Sequence, residues 1–154
     1  RMIKTILVVC VGNICRSAVG ERLLAAALSG NQPPIGVASA GLAAVTGNPA
    51  DPTATEVAAA HGVSLEGHVA RQFNSVLGRN SDLILVMEPA HKARIVSMSP
   101  ELTGKLMLFD QWSGATGIQD PYRRSRAFHE QTFLKLEAAA ASWAEKLVPG
   151  VSRT

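Results

Sequence analysis

Four short apolar runs separated by helix-patterned segments constrain this chain more than any other feature. Ile3 to Val11 and Leu83 to Met87 are nearly continuous in apolar residues, and Gly36 to Ala40 and Leu106 to Phe109 are shorter runs of the same kind. A strand that is apolar at successive positions, and not only at alternate ones, is covered on both faces, as in parallel sheets. Between the runs lie helical patterns at Ala18 to Leu28, Pro52 to His61 and Pro89 to Val96, with a short one near Phe73 to Leu77. The longest runs from about Arg126 to Leu147. Asp51-Pro52 supplies an N-cap and a first helical residue, and Gly62 a stop. The alternation predicts an α/β fold, a single doubly wound domain over residues 1–154 with right-handed crossovers and helices on both faces.

The joint between the first run and the first helix carries the chemistry. Cys10-Val11-Gly12-Asn13-Ile14-Cys15, followed by Arg16-Ser17, places a thiol, a loop of backbone amides, a guanidinium and a hydroxyl at a helix N-terminus. Successive N–H groups and the helix dipole favour an anion there, and Arg16 can offer a planar fork of donors to two oxygens. The same positive field favours the nucleophilic thiolate of Cys10. Such a place binds a phosphoryl group and can attack it. The spacing Cys-x5-Arg arises readily by chance, so a buried strand-end Cys10 with a solvated Arg16 stays open at this point.

Composition narrows the surroundings. The chain of 154 residues is 47% hydrophobic, enough for a sizeable core, and no Pro/Ser/Gly-rich stretch divides it. No apolar run reaches the ~18–20 residues that cross a bilayer, and no signal-peptide pattern opens the chain. No membrane insertion is therefore expected. Two cysteines without an export signal suggest reduced thiols in a cytoplasm, and no second Cys/His pair at ligand spacing supports zinc. A net charge of +3 with scattered basic residues fits an anionic substrate better than nucleic acid.

Cleavage of a phosphate ester by a thiolate needs a proton for the leaving oxygen and then a base to activate water, and one carboxyl can do both. In an open α/β sheet the ligand sits beyond the carboxyl ends of the strands. Asp82 precedes its strand and so lies at the wrong edge, and Asp51 caps a helix. Asp110 and Asp120 both follow the fourth run. Asp120 is preferred, because Pro121 stiffens the backbone behind it and Tyr122 can wall an aryl group; a turn or cap before the last helix is the alternative for this pair.

Val9 to Ser17, Ser39-Ala40-Gly41, His68-Val69-Ala70-Arg71-Gln72 and Asp120-Pro121-Tyr122, in this order, resemble the low-molecular-weight protein tyrosine phosphatases over essentially the whole chain. The resemblance implies a Rossmann-like sheet of four parallel strands and no metal or cofactor. It implies Cys10 as nucleophile, Arg16 on the phosphoryl oxygens and Asp120 as acid, then base. The loop Val11, Gly12, Asn13, Ile14 and Cys15, with Ser17, Val45 and Tyr122, would contact substrate. Ser17 would donate to the Cys10 sulfur, Asn13, tied to His68 and Ser39, would hold the loop's shape, and Cys15 would serve as a redox partner for Cys10 or simply pack.

Within the family the chain is similar to bacterial members paired with the tyrosine autokinases of capsule and exopolysaccharide export. The segments that carry this are Ser39 to Gly41 running on through Asp51-Pro52-Thr53-Ala54, then Leu65-Glu66-Gly67-His68, then Asp82 to Glu88. The implied substrate is a phosphotyrosine protein, the autokinase tail. Val45 stands in the loop where eukaryotic-type members carry Trp, and Arg123 follows Tyr122 where they carry a second Tyr. With Arg124 and Arg126, this suggests a wider, basic rim suited to an acidic tail. The oligomeric state is open, with a monomer expected. An arsenate reductase of the relay type would need cysteines after Cys15, and none follows. A non-catalytic phosphotyrosine-binding module would lack Cys10, Arg16 or Asp120.

The remaining polar residues have plain expectations. His61 ends its helix, His91 and His129 occupy solvated helix positions, Arg71 is as readily a helix-start surface charge, and Trp112 and Trp143 pack or sit half exposed.

Overall fold

The computed structural model describes residues 2–148, so both ends of the expected 1–154 range lie outside it. The first apolar run forms strand β1 (Thr5–Cys10), and helix α1 (Arg16–Ala27) follows it directly. Next come β2 (Gly36–Gly41), α2 (Pro52–Ala60), α3 (Ser75–Arg79), β3 (Leu83–Val86), α4 (Pro89–Met98), β4 (Leu106–Leu108) and α5 (Arg126–Leu147). All four strands are parallel in the order β2-β1-β3-β4. Every position of β1 after Thr5 is buried, because the strand has a neighbour on each edge and helices on each face.

The pleat sorts the apolar runs into two cores. Ile6, Val8, Cys10, Leu85 and Met87 pack with α1, α2 and α5 on one face, where Leu24, Val57, Phe133 and Leu136 meet them. Leu7, Val9, Ile84 and Val86 pack on the other face with Phe73, Ile95 and Leu102. The continuous apolarity of β1 and β3 thus has its expected cause. From β1 the chain passes to β2 on one side and later to β3 on the other, so the connections leaving β1 and β3 diverge. They open a crevice at the carboxyl ends of these strands.

Helix starts follow the local chemistry. Asp51 Oδ2 accepts from the Ala54 amide at 3.0 Å, and Ser125 Oγ from the Phe128 amide at 3.1 Å. α1 begins at Arg16, two residues before its helical pattern, on Cys15, with no side-chain cap. Its first-turn amides remain available to a ligand. Asp82 lies at the amino end of β3, where it accepts from the Lys4 amide at 2.8 Å and the Thr5 amide at 3.1 Å, far from the crevice.

Two histidine expectations are corrected. His91 and His129 are 6% and 4% exposed, not solvated. His91 lies one turn before Ile95 on the inward side of α4, and His129 begins the inward stripe of α5 with Phe133, Leu136, Ala140 and Trp143. His61 does end α2, paired with Glu130 at 2.8 Å and stacked on Phe133. A 3-10 helix, Pro100–Lys105, precedes β4 without a sequence signal that distinguished it from a loop. Trp143 is buried and Trp112 is 44% exposed.

Gly41, paired with Cys10 across β1 and β2, leaves no room for a side chain. An added Cβ would sit inside van der Waals distance of the Val11 carbonyl oxygen and 3.0 Å from the Asn13 nitrogen, both backbone atoms of the loop. Gly41→Ala should therefore destabilise the fold by ~1–3 kcal/mol and weaken inorganic phosphate binding. Denaturant unfolding and phosphate titration check both, and a variant that binds phosphate as wild type does would show that the loop yields freely.

Candidate active site

The loop Cys10 to Cys15 turns all its carbonyls outward. Leu42, Ala43, Val45 and Asp51 donate their amides to the carbonyls of Cys10, Val11, Gly12 and Ile14, at 2.9–3.0 Å. The Cys15 carbonyl accepts from Val19 at 3.0 Å, and His68 Nε2 donates to the Asn13 carbonyl at 2.6 Å. Among the described residues, no hydrogen bond is donated by the amides of Val11 to Cys15. They form a ring of free donors of the kind that holds an anion.

Asn13 fixes this ring. It sits at φ 59°, which asparagine tolerates better than other side chains, and is fully buried. Its Nδ2 donates to Ser17 Oγ at 2.7 Å and Ser39 Oγ at 3.0 Å, and its Oδ1 accepts from the Arg71 amide at 2.9 Å. Ser39 Oγ in turn donates to Glu21 Oε1 at 2.6 Å. Ser17 Oγ, which accepts from Asn13, lies 2.9 Å from Cys10 Sγ and can give its proton to a thiolate there.

Arg16 is 2% exposed, and its guanidinium is held from behind. Nη1 donates to Glu88 Oε2 at 2.5 Å and to the Ile118 carbonyl at 2.7 Å. Nη2 lies 3.8 Å from Asp120 Oδ2, and Nε is buried with no partner. A buried unpartnered donor on an arginine is costly unless a ligand completes it. Asp120, with its side chain 49% exposed, stands at the mouth, its Oδ1 accepting from the Tyr122 amide at 3.0 Å.

These groups surround a cavity of about 200 Å³. Of the sequence-predicted residues, Cys10, Val11, Gly12, Ile14, Cys15, Arg16, Val45, Asp120 and Tyr122 line it, with Ala43 in addition. Asn13, Ser17, Ser39 and His68 stand behind the loop, so Asn13 and Ser17 shape the wall and do not form it. Burial pushes the Cys15 thiol well above its ordinary range, with the Asp51 carboxylate adding to the shift. A larger cavity of about 710 Å³ lies between α2 and the 62–68 turn, away from Cys10.

Sequence reasoning missed Glu88, Ile118 and the part played by Arg71. Glu88 follows the third apolar run directly, and that place at a strand's carboxyl end was its only signal. Ile118 acts through its carbonyl, which no sequence pattern marks. Arg71 is no helix-start charge: its amide and its Nε, the latter to the Ser39 carbonyl at 2.9 Å, brace the loop. The basic rim is narrower than expected. Arg124 lies over Phe128 at 4.1 Å and Arg126 pairs with Glu56 at 3.2 Å, which leaves Arg123 beside Tyr122, at 5.3 Å from its ring. Asp110 lines a different cavity and not the one at Cys10.

Known proteins share this architecture. The family model described as low molecular weight phosphotyrosine protein phosphatase matches residues 5–152. The low molecular weight protein-tyrosine-phosphatase Wzb of Escherichia coli K12 is 51% identical over 146 residues, covering 95% of this chain and 97% of that protein. The crystal structure of the Erwinia amylovora tyrosine phosphatase AmsI superposes with a TM-score of 0.89 at 49% identity, over 95% of this chain and 94% of that one. Vibrio vulnificus Wzb, solved in complex with benzylphosphonate, superposes with a TM-score of 0.89 at 46% identity, over 94% and 99% of the two chains.

Behind the site, burial lowers the affinity of His91 for a proton below its ordinary value of 6.5, and the Arg16 guanidinium adds to the shift. Glu88, 3.6 Å away, opposes it. The folded protein thus binds this proton less readily than the unfolded chain, so stability falls as pH drops below 6.5. His91→Gln removes this component. Thermal unfolding between about pH 7 and pH 5 should show a shallower fall of Tm in the variant; equal slopes would mean that His91 is protonated in the fold without cost.

Proposed function

The chain belongs to the low molecular weight phosphotyrosine protein phosphatase family, and we propose that it hydrolyses phosphotyrosine through a phosphocysteine intermediate on Cys10. It is a protein-tyrosine phosphatase; the roles of its residues and its substrate are our reading. One observation carries the mechanism: the free amides of Val11, Gly12, Ile14 and Cys15 and the unpartnered Nε of Arg16 belong to residues that line the same cavity as Cys10.

A phosphoryl group entering that space meets donors placed before it arrives, so the charge on its oxygens is stabilised without rearrangement. Glu88 and the Ile118 carbonyl occupy Nη1 and turn the remaining guanidinium edge toward the ligand. The Cys10 thiolate attacks phosphorus while the bond to the tyrosyl oxygen breaks and Asp120 delivers its proton to that oxygen. In the second half Asp120, now a carboxylate, takes a proton from water. The water oxygen attacks phosphorus, the S–P bond breaks and inorganic phosphate leaves. Ser17 stabilises the departing thiolate through its hydrogen bond. Exposure of Asp120 at the mouth suits both duties, since leaving group and water arrive from solvent. Val45 and Tyr122, 43% and 44% exposed, flank the entry as walls for the aryl ring.

The substrate we assign is the tyrosine-phosphorylated tail of a bacterial autokinase of capsule or exopolysaccharide export, met in the cytoplasm. The sequence segments that place the chain in the bacterial branch support this, as do the open Val45 wall and the Arg123 cation beside Tyr122. Among the described residues no helix is long and apolar enough to cross a membrane. Cys15, buried beside the same cavity, is the candidate to trap an oxidised Cys10 as a disulfide.

Cys10→Ser should retain phosphate binding and lose nearly all turnover of para-nitrophenyl phosphate, because no base stands ready to ionise a serine. Turnover within tenfold of wild type would end the cysteine mechanism. Asp120→Asn should cost about 10²–10⁴ in rate on phenyl phosphate and far less on 2,4-dinitrophenyl phosphate, whose leaving group needs no proton. Equal losses on the two esters would move the acid elsewhere. For the substrate, kcat/KM on a phosphorylated autokinase tail should exceed that on an uncharged phosphotyrosyl peptide, and Arg123→Glu should narrow the gap. A tail that is no better a substrate would remove the autokinase assignment and leave the phosphatase intact.

A further inference from the structure

Asp110 is a buried carboxylate used on one side only. It is 5% exposed and follows β4, at the head of the connection to Asp120. Its Oδ2 accepts from the amides of Thr116 at 3.2 Å and Gly117 at 3.0 Å, and its carbonyl accepts from Ser113 and Ala115 at 3.0 and 2.9 Å. The turn closes around it with Ala115 at φ 57°, a left-handed backbone that alanine rarely adopts. Oδ1 is equally buried and accepts nothing. A buried carboxylate oxygen without a protein donor is a missing contact.

A groove of about 290 Å³ lies against this residue, between the 110–118 turn and α5. None of its lining residues lines the Cys10 cavity. Ile118, Leu134 and Ala138 give it apolar walls, and Gln131 and Lys135 stand on the α5 side. Neither of these two makes a side-chain hydrogen bond or ion pair among the described residues, so no salt bridge joins Lys135 to Asp110.

We propose that this groove is a second ligand site, which takes a guanidinium or primary ammonium group on a short aliphatic stem. The cation donates to Asp110 Oδ1, and the stem lies along Ile118, Leu134 and Ala138. Charge-assisted bonding to a desolvated carboxylate supplies the polar anchor, and the apolar walls select a stem of a few carbons. A free alkylamine or alkylguanidine and an arginine side chain of another protein present the same chemistry.

Amide NMR of the full chain titrated with propylguanidine, propylamine and neutral propylurea tests the site. Both cations should shift Thr116 and Gly117 saturably, with Kd on the order of 1 mM, and propylurea should not. Asp110→Asn keeps an oxygen for the two amides, removes the charge, and should weaken binding at least tenfold. Ala138→Leu fills the groove without touching Asp110, should abolish the shifts, and keeps the test valid if the Asp110 variant fails to fold. Its turnover of para-nitrophenyl phosphate should match wild type. Lys135→Gln should tighten binding by removing a like charge. A blocked Ala-Arg-Ala peptide that binds more tightly than propylguanidine would point to an arginine of a partner protein, and one that binds more weakly to a free amine. Absence of saturation up to about 50 mM, equal shifts with propylurea, or shifts indifferent to both variants would overturn the proposal and leave Oδ1 to a trapped water.

Discussion

The hydrogen bonds of the Asn13 side chain hold the site together, because they decide which way the loop's peptide groups face. A six-residue loop at a strand end can point its carbonyls inward or outward. Only the outward arrangement leaves donors for an anion. Asn13, fully buried at φ 59°, gives both amide protons to hydroxyls, those of Ser17 and Ser39, and takes the Arg71 amide on its oxygen. Its own carbonyl meets His68. Loss of any one partner strands a buried polar group, which costs about 1–3 kcal/mol and releases the constraint on the loop. The amides of the 42–51 segment then lock the carbonyls of Cys10, Val11, Gly12 and Ile14, and Val19 that of Cys15, so the anion ring is a by-product of satisfying every acceptor on the outside.

Arg16 solves a harder problem, since a guanidinium that is 2% exposed needs partners before any ligand arrives. Glu88 and the Ile118 carbonyl supply them on one edge. The other edge keeps Nε buried without a partner, a costly arrangement that leaves a donor for an anion. The three contributors come from three connections, those after β1, β3 and β4. Parallel strands deliver all three to the same end of the sheet, and the divergence of chain direction on either side of β1 opens the space between them. The tension is local: a rigid sheet carries a site that is completed only by its ligand.

The apolar runs revealed the strands because burial on both faces leaves no polar alternation to confuse them, and α5 was legible from Arg126 to Leu147 because a long amphipathic pattern overrides local ambiguity. That Cys10, Arg16 and Asp120 line one cavity was foreseeable, because a thiol-loop-guanidinium joint and an acid beyond a strand end each carry a chemical reason for their spacing. His91 and His129 were misjudged because a helical histidine shows its face only when the packing partner is known, and both lie on inward stripes. The rim was overdrawn because sequence counts arginines but does not show that Glu56 and Phe128 already engage two of them.

The sequence by itself determined the class of fold, the order of strands and helices along the chain, and the Cys10-to-Arg16 loop at the first strand–helix joint, since these depend on periodicity and on residues adjacent in the chain. It also marked Asp120, through the rule that ligands gather at strand carboxyl ends. Only the tertiary structure decided that Glu88 and a backbone carbonyl from residue 118 orient Arg16, that Arg71 braces Asn13, and that Asp110 faces a groove of its own. Each of these joins positions tens of residues apart through atoms whose direction depends on neighbouring elements. Periodicity reports which face of an element is buried, and it carries no information about what that face meets.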